Sequence, residues 1–255
     1  MNVLKSIELK SPHEIEIMRA NGRILRRILL EVAGRVRPGV NTLELDEMAE
    51  QLILEAGAVP AFKGYKGFPA TLCSSLNEQI VHGIPDRSVI LREGDIISLD
   101  IGLQKDGFFA DTALTVPVGT ITAGLRKLLR VTEKALEIAI AHCRADNRMG
   151  DLSAAVQQFV EDNGFSVVRE YTGHGIGRRM HEPPQVPNFG RQGKGERLRP
   201  GMTLAIEPMV NAGTPETRVL ADGWTVVTAD GLPSAHFEHT VAITENGPII
   251  LTDEH

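Results

Sequence analysis

The stretch LREGDIISLD, from Leu91 to Asp100, is matched in pattern by LRPGMTLAIE, from Leu198 to Glu207, at an offset of 107 residues. Leu91 falls on Leu198, Arg92 on Arg199, Gly94 on Gly201 and Asp100 on Glu207. The same offset brings Arg37 onto Arg144, Leu45 onto Leu152 and Gly57 onto Gly164. A shared offset over so long a span constrains the fold strongly. It predicts a single domain over 1–255, built from two related halves, roughly 11–120 and 121–250, each supplying one acid from the end of an equivalent strand.

Element order repeats as well. Ser11, Pro12 and Glu14 form a capping box with proline at the first helical position, opening a helix with Ile17, Ile24, Ile28 and Val32 among its apolar positions. Asn41 and Glu44 open a second helix, which Gly57 stops. In the second half Leu125 to His142 and Asp151 to Asp162 read as helices, Gly164 closes the latter, and strands follow. Helices first and hairpins afterwards predict an α+β fold, an antiparallel sheet with helices on one face and a pseudo-two-fold internal repeat.

The hairpin DIISLDIGLQKDGFFADTAL carries the first chemistry. Ile97, Leu99, Ile101 and Leu103 alternate with Ile96, Ser98, Asp100 and Gly102, so Asp100 sits in a strand, where aspartate is disfavoured. Asp106-Gly107 is a two-residue turn signal. Counting outward pairs Lys105 with Phe108, Gly102 with Asp111 and Asp100 with Ala113, so both acids share a face as diagonal neighbours about 7–8 Å apart. Glu207 joins them through the repeat, and Glu238 interrupts the alternating segment SAHFEHTVAIT. A lone pair of aspartates is more often structural, but four converging acids repel one another unless cations neutralise them.

YTGHGIGRRMHEPP offers a nitrogen ligand, His174, set between Gly173 and Gly175 on backbone free of bulk and read as exposed. Its glycines do not form a phosphate cradle, because Pro183-Pro184 prevents the helix such a loop requires. Two Asp, two Glu and one His suit a pair of divalent ions, the imidazole favouring Mn, Fe, Co or Zn. Ions about 3.5–4 Å apart would make a bridging water acidic enough to serve as hydroxide, the apparatus of a hydrolase.

Composition excludes other classes. A net charge of -6 disfavours broad binding to nucleic acid, and Arg19, Arg23, Arg26 and Arg27 read as a solvated helix face. MNVLKSIELK lacks the features of a signal peptide, and no apolar run approaches the about 18 residues of a membrane span. Cys73 and Cys143 are far apart, as expected of a cytoplasmic protein.

Asp100, Asp111, His174, Glu207 and Glu238, in that order, resemble the ligand set of the pita-bread metallopeptidases. With NEQIVHGIPD, SLDIG, GFFADTA, GHGIGRRMHEPP, AIEPMV and DGWTVVTADG, nearly the whole chain is similar to the type I methionine aminopeptidases among them. The resemblance implies the pita-bread fold and two divalent ions bridged by Asp111 and Glu238, with Asp100 on one and His174 and Glu207 on the other. Glu207 would also shuttle the proton. His82 and His181 would contact substrate and stabilise the tetrahedral oxyanion. Tyr65, Phe68, Cys73 and Trp224 would line the pocket for the first side chain; Phe62 stands where relatives often carry a smaller residue, and Met180 where an aromatic is frequent. Aromatics make up only 4% of the chain, yet several cluster in FKGYKGFP.

The implied substrate is a peptide or nascent protein with N-terminal methionine and a small second residue. The resemblance further implies docking near the ribosomal exit, a monomer, and one monovalent cation held by backbone carbonyls near Asn77 and Ser234. His236 shares a face with Glu238 and is expected to support the ligands, whereas His239 points the other way as a structural histidine. Two alternatives stand beside the aminopeptidase: an X-Pro dipeptidase, and a non-catalytic module of the same fold that binds peptides or proteins.

Overall fold

The computed structural model describes residues 6–253, so the first half of MNVLKSIELK lies outside the described residues. Helix α1 (Pro12–Ala33) begins at the predicted box, with the Ser11 hydroxyl accepting from the Glu14 N–H and the Glu14 carboxylate accepting from the Ser11 N–H. Its buried stripe runs through Ile15, Met18, Leu25, Ile28, Leu29 and Val32, while Ile17 and Ile24 are only half-buried. Helix α2 (Thr42–Glu55) is capped by Asn41, whose side chain accepts from the Glu44 N–H, and Gly57 ends it at φ 65°. Helices α3 (Ala123–His142) and α4 (Met149–Asp162) each start two residues before the sequence reading.

Nine antiparallel strands form the main sheet: β1 (Val59–Pro60), β2 (Leu72–Leu76), β3 (Ile96–Lys105), β4 (Phe108–Pro117), β5 (Gly173–Gly175), β6 (Glu182–Val186), β7 (Thr203–Ile206), β8 (Glu238–Thr244) and β9 (Gly247–Ile250). Their order is β1-β3-β4-β8-β7-β5-β6, with β2 also on β3 and β9 also on β8. The offset of 107 carries α2 onto α4 along its full length. It also pairs two left-handed glycines with two others: Gly57 with Gly164 (φ 81°), and Gly94 (φ 93°) with Gly201 (φ 90°). At the centre of the sheet β3-β4 meets β8-β7, the two halves facing each other across the β4/β8 ladder.

Both helix pairs cover one face. Leu25, Leu29, Leu45 and Ile53 pack with Ile97, Leu99, Ile101 and Leu103. Leu136, Leu152 and Val156 pack with Leu204, Ile206, Val241 and Ile243. Each such side chain contributes about 1.5–3 kcal/mol on leaving water. Asp100, in the opposite phase of β3, therefore points away from this core.

Two small antiparallel sheets flank the main one, an elaboration the sequence reading did not contain. One joins Ser166–Val167, Met209–Asn211 and Ser234–His236; the other joins Gln79–Val81, Val226–Thr228 and Thr217–Val219. The second aligns the approaches to His82 and Trp224. Among the described residues no helix is long and apolar enough to cross a membrane.

Candidate metal centre

The β3-β4 hairpin has the register expected of its turn, with Lys105 opposite Phe108, Gly102 opposite Asp111 and Asp100 opposite Ala113. Asp106 (φ 49°) and Gly107 (φ 79°) supply the two left-handed residues that a twisted two-residue hairpin requires. Beside Ala113 in β4 lies Glu238 of β8, and Glu207 follows the last residue of β7. Four carboxylates from four neighbouring strands thus enter one cavity of about 150 Å³.

His174 reaches the same cavity from β5, but the sequence reading of its surroundings needs correction. The residue is buried, 7% exposed. A side chain at Gly173 would overlap the Ala205 carbonyl and one at Gly175 the Pro183 carbonyl, so the glycines admit neighbouring strands instead of exposing the ring. His174 Nδ1 lies 2.8 Å from the Gly175 carbonyl, to which it donates, leaving Nε2 as a lone-pair donor 3.7 Å from Asp111 Oδ2 and Glu207 Oε1. Pro183-Pro184 lies within strand β6, and among the described residues no helix follows the glycines.

Electrostatics of the bare side chains is unfavourable. Burial pushes the carboxyls of Asp100, Glu207 and Glu238 well above the usual range, and their neighbours' negative charge pushes them further. Asp111 is raised by burial while His174 pulls it the other way. Oδ1 of Asp100, Oδ1 of Asp111 and Oε1 of Glu238 are buried without a hydrogen-bond partner. Ligand atoms of Asp111, His174 and Glu238 lie within 4.8 Å of one another. Orphaned buried oxygens beside an oriented imidazole are the arrangement that divalent ions satisfy, so the residues present fit a metal centre.

The remaining predicted site residues line the same cavity. Asp46 of α2 accepts from the N–H groups of Thr71 and Leu72 at 2.9 and 2.8 Å, pinning β2 so that Cys73 lies opposite Asp100. Burial and nearby carboxylates push the Cys73 thiol well up, keeping it an uncharged wall. Phe68 meets Trp224 edge to face at 5.2 Å, and Phe62 and Met180 complete the apolar lining. His82 is left-handed (φ 60°), a strained conformation for a residue with a side chain, and its ring stands edge-on to Tyr171 and Trp224. Burial and the Lys66 charge bring its pKa down to about 4. His181, exposed to solvent at the cavity mouth, is brought down to about 3 by partial desolvation of its ring and by His174, Lys66 and His82. Tyr65 stacks on it.

Other expected positions are accounted for too. His236 is buried with Nε2 3.7 Å from Glu207 Oε2, too long for a hydrogen bond, and neither ring nitrogen has a hydrogen-bond partner, so the expected hydrogen-bonded support is not made; burial brings its pKa down to about 3. His239 faces the helices and bonds Thr252 Oγ1 through Nδ1 at 2.9 Å. The Asn77 carbonyl accepts from the Ser234 N–H at 2.8 Å, so the backbones named for a monovalent cation are adjacent. Of the arginine cluster only Arg27 is exposed; Arg19, Arg23 and Arg26 are half-buried, so the face is less solvated than its charge implied. The sequence reading missed Lys66 at the cavity mouth, because a lysine between glycines reads as an ordinary loop, and Tyr171, whose contact with His82 has no local signal.

Residues 16–245 match the model of metallopeptidase family M24. The chain belongs to that family. A methionine aminopeptidase of Clostridium perfringens is 54% identical to it over 246 residues, covering 96% of this chain and 98% of the relative. The crystal structure of a methionine aminopeptidase from Thermotoga maritima superposes with a TM-score of 0.96 at 45% identity, covering 98% of this chain and 100% of that one. A prolidase from Pyrococcus horikoshii superposes at 0.78 with 21% identity, covering 97% of this chain and 64% of that one, a likeness of fold alone. As an M24 member the chain is a metal-dependent hydrolase of the pita-bread fold.

Proposed function

We propose that this chain removes N-terminal methionine from peptides and nascent proteins whose second residue is small. The observation that carries the reading is one cavity holding four carboxylates and His174 at its base, His82 and His181 on its walls, and an apolar lining beside them. Asp100, Asp111, His174, Glu207 and Glu238 would hold the divalent ions, with Asp111 and Glu238 shared between the two sites, Asp100 completing one, and His174 and Glu207 the other. Divalent ions there, from among Co, Mn, Fe and Zn, would polarise the scissile carbonyl and acidify water.

The chain's own groups do the rest. Phe62, Tyr65, Phe68, Cys73, Met180 and Trp224 enclose an unbranched thioether, whose polarizable sulfur suits aromatic edges. Glu207 accepts the proton of the attacking water and passes it to the departing amine. His82 and His181, both held neutral, donate N–H groups to the developing oxyanion. On the same reading the protein works as a cytoplasmic monomer on chains leaving the ribosome, and backbone carbonyls near Asn77 and Ser234 take a monovalent cation.

Comparing Met-Ala-Ser with Ala-Pro, on protein loaded separately with each candidate metal, tests the reading. Faster release from Met-Ala-Ser is expected. A preference for Ala-Pro would transfer the chain to X-Pro peptidases, and no turnover of either together with no tight divalent ion would make it a binding module.

A further inference from the structure

Tyr65, assigned above to the side-chain pocket, makes a contact that a pocket wall does not need. It sits in a tight loop whose Gly64 (φ 83°), Lys66 (φ 50°) and Gly67 (φ 91°) are all left-handed. The loop closes on its own backbone: Tyr65 N–H donates to Phe62 O at 2.9 Å, Gly64 N–H to Phe68 O at 2.8 Å and Phe68 N–H to Tyr65 O at 2.9 Å. So held, the Tyr65 ring lies nearly parallel to that of His181, with centroids 5.3 Å apart and planes 15° apart. Its hydroxyl oxygen is 3.0 Å from His181 Nδ1.

A neutral imidazole carries one proton on one of two nitrogens, and the partner of one nitrogen decides what the other can do. His181 Nδ1 is the one hydrogen-bond partner that the Tyr65 hydroxyl has among the described residues. At that distance the phenolic hydroxyl can donate to the Nδ1 lone pair. Burial raises the Tyr65 hydroxyl above its ordinary range, so it keeps the proton it shares.

We infer that Tyr65 is a positioning residue: its hydroxyl donates to Nδ1 of His181, fixing the tautomer that carries its proton on Nε2 and presents that N–H to the substrate carbonyl oxygen. This rests on the reading of His181 as an oxyanion donor. Stacking holds the ring plane and the hydrogen bond holds its proton, so the wall of the side-chain pocket also sets the polarity of a catalytic group.

Tyr65→Phe keeps the ring and removes only the hydroxyl. The test is long-range proton-nitrogen correlation on zinc-loaded protein, with His181→Gln used to assign the ring, followed by steady-state kinetics on Met-Ala-Ser. The expected result is a protonated Nε2 in the parent protein and a mixture of tautomers in Tyr65→Phe. Its kcat should fall about two- to ten-fold, as for one lost hydrogen bond, with KM changing less than about two-fold. A parent His181 protonated on Nδ1, or ring shifts that Tyr65→Phe leaves unaltered, overturns the inference; so does a rise in KM with kcat unchanged. The spectra need no turnover, so absence of Met-Ala-Ser cleavage would remove the aminopeptidase reading while the tautomer was still decided.

Discussion

The ammonium of Lys10 lies 2.7 Å from Oε2 of Glu182, the two side chains being 1% and 3% exposed. Lys10 approaches from the segment before α1, where its N–H donates to Gly201 O at 2.7 Å. Gly177 makes room, since a side chain there would overlap Lys10 Cε. The other oxygen of Glu182 accepts from the Arg179 N–H at 3.0 Å. One buried pair thereby joins the chain's first described residues to the turn that leads into Met180 and His181.

Breaking that pair from one side should be costly, because it strands a charge that cannot reach water. Lys10→Met is expected to lower stability by about 3–5 kcal/mol in denaturant unfolding. The double variant Lys10→Met/Glu182→Gln should recover a large part of the loss. Equal stability of the single variant and the parent would mean that the pair contributes little.

Proton linkage follows from the raised carboxyls of Asp100, Asp111, Glu207 and Glu238. Their folded pKa values lie above the unfolded ones, so the metal-free protein should lose stability as pH rises through the raised range. Divalent ions compete with those protons, so binding should release protons and weaken as pH falls. Calorimetry of metal binding in two buffers of different ionisation enthalpy measures the release; identical heats in both would contradict it.

Glu207→Gln retains shape and removes the base. Turnover of Met-Ala-Ser should drop by about 10² or more, the usual contribution of a general base. Far-ultraviolet dichroism and the melting temperature should change little, and undiminished kcat would eliminate Glu207 from proton transfer.

Gly102 faces Asp111, and a Cβ there would lie 2.8 Å from Phe62 Cε1 and 3.1 Å from Ala61 Cβ. Gly102→Ala should therefore cost about 1–3 kcal/mol through overpacking. It should also push Phe62 into the cavity and raise KM for methionyl peptides. Adding Phe62→Ala should relieve part of both effects; strictly additive losses would show that the two residues are uncoupled.

Much of this protein was legible in order along the chain, because capping boxes, turn pairs and strand alternation are interactions between near neighbours. Ser11 with Glu14, Asn41 with Glu44, and the register set by Asp106-Gly107 all appear as the sequence predicts. The repeat also named Asp100 and Glu207 together. It could not pair Asp111 with Glu238, since the offset lands Asp111 on Arg218. The second half instead inserts Met209–Asn211, Thr217–Val219, Val226–Thr228 and Ser234–His236 between β7 and β8. Only the sheet order restores the equivalence of β4 and β8.

By itself the sequence determined the α+β pattern and the identities of the acids and imidazoles, which follow from local chemistry and from likeness to a family. The tertiary structure decided which of them meet. It buried His174 between close-packed strands, set Tyr65 against His181 across 116 residues and joined Lys10 to Glu182 across 172. Such contacts depend on how strands and loops far apart in the chain come together, and no period or spacing within either segment encodes that meeting.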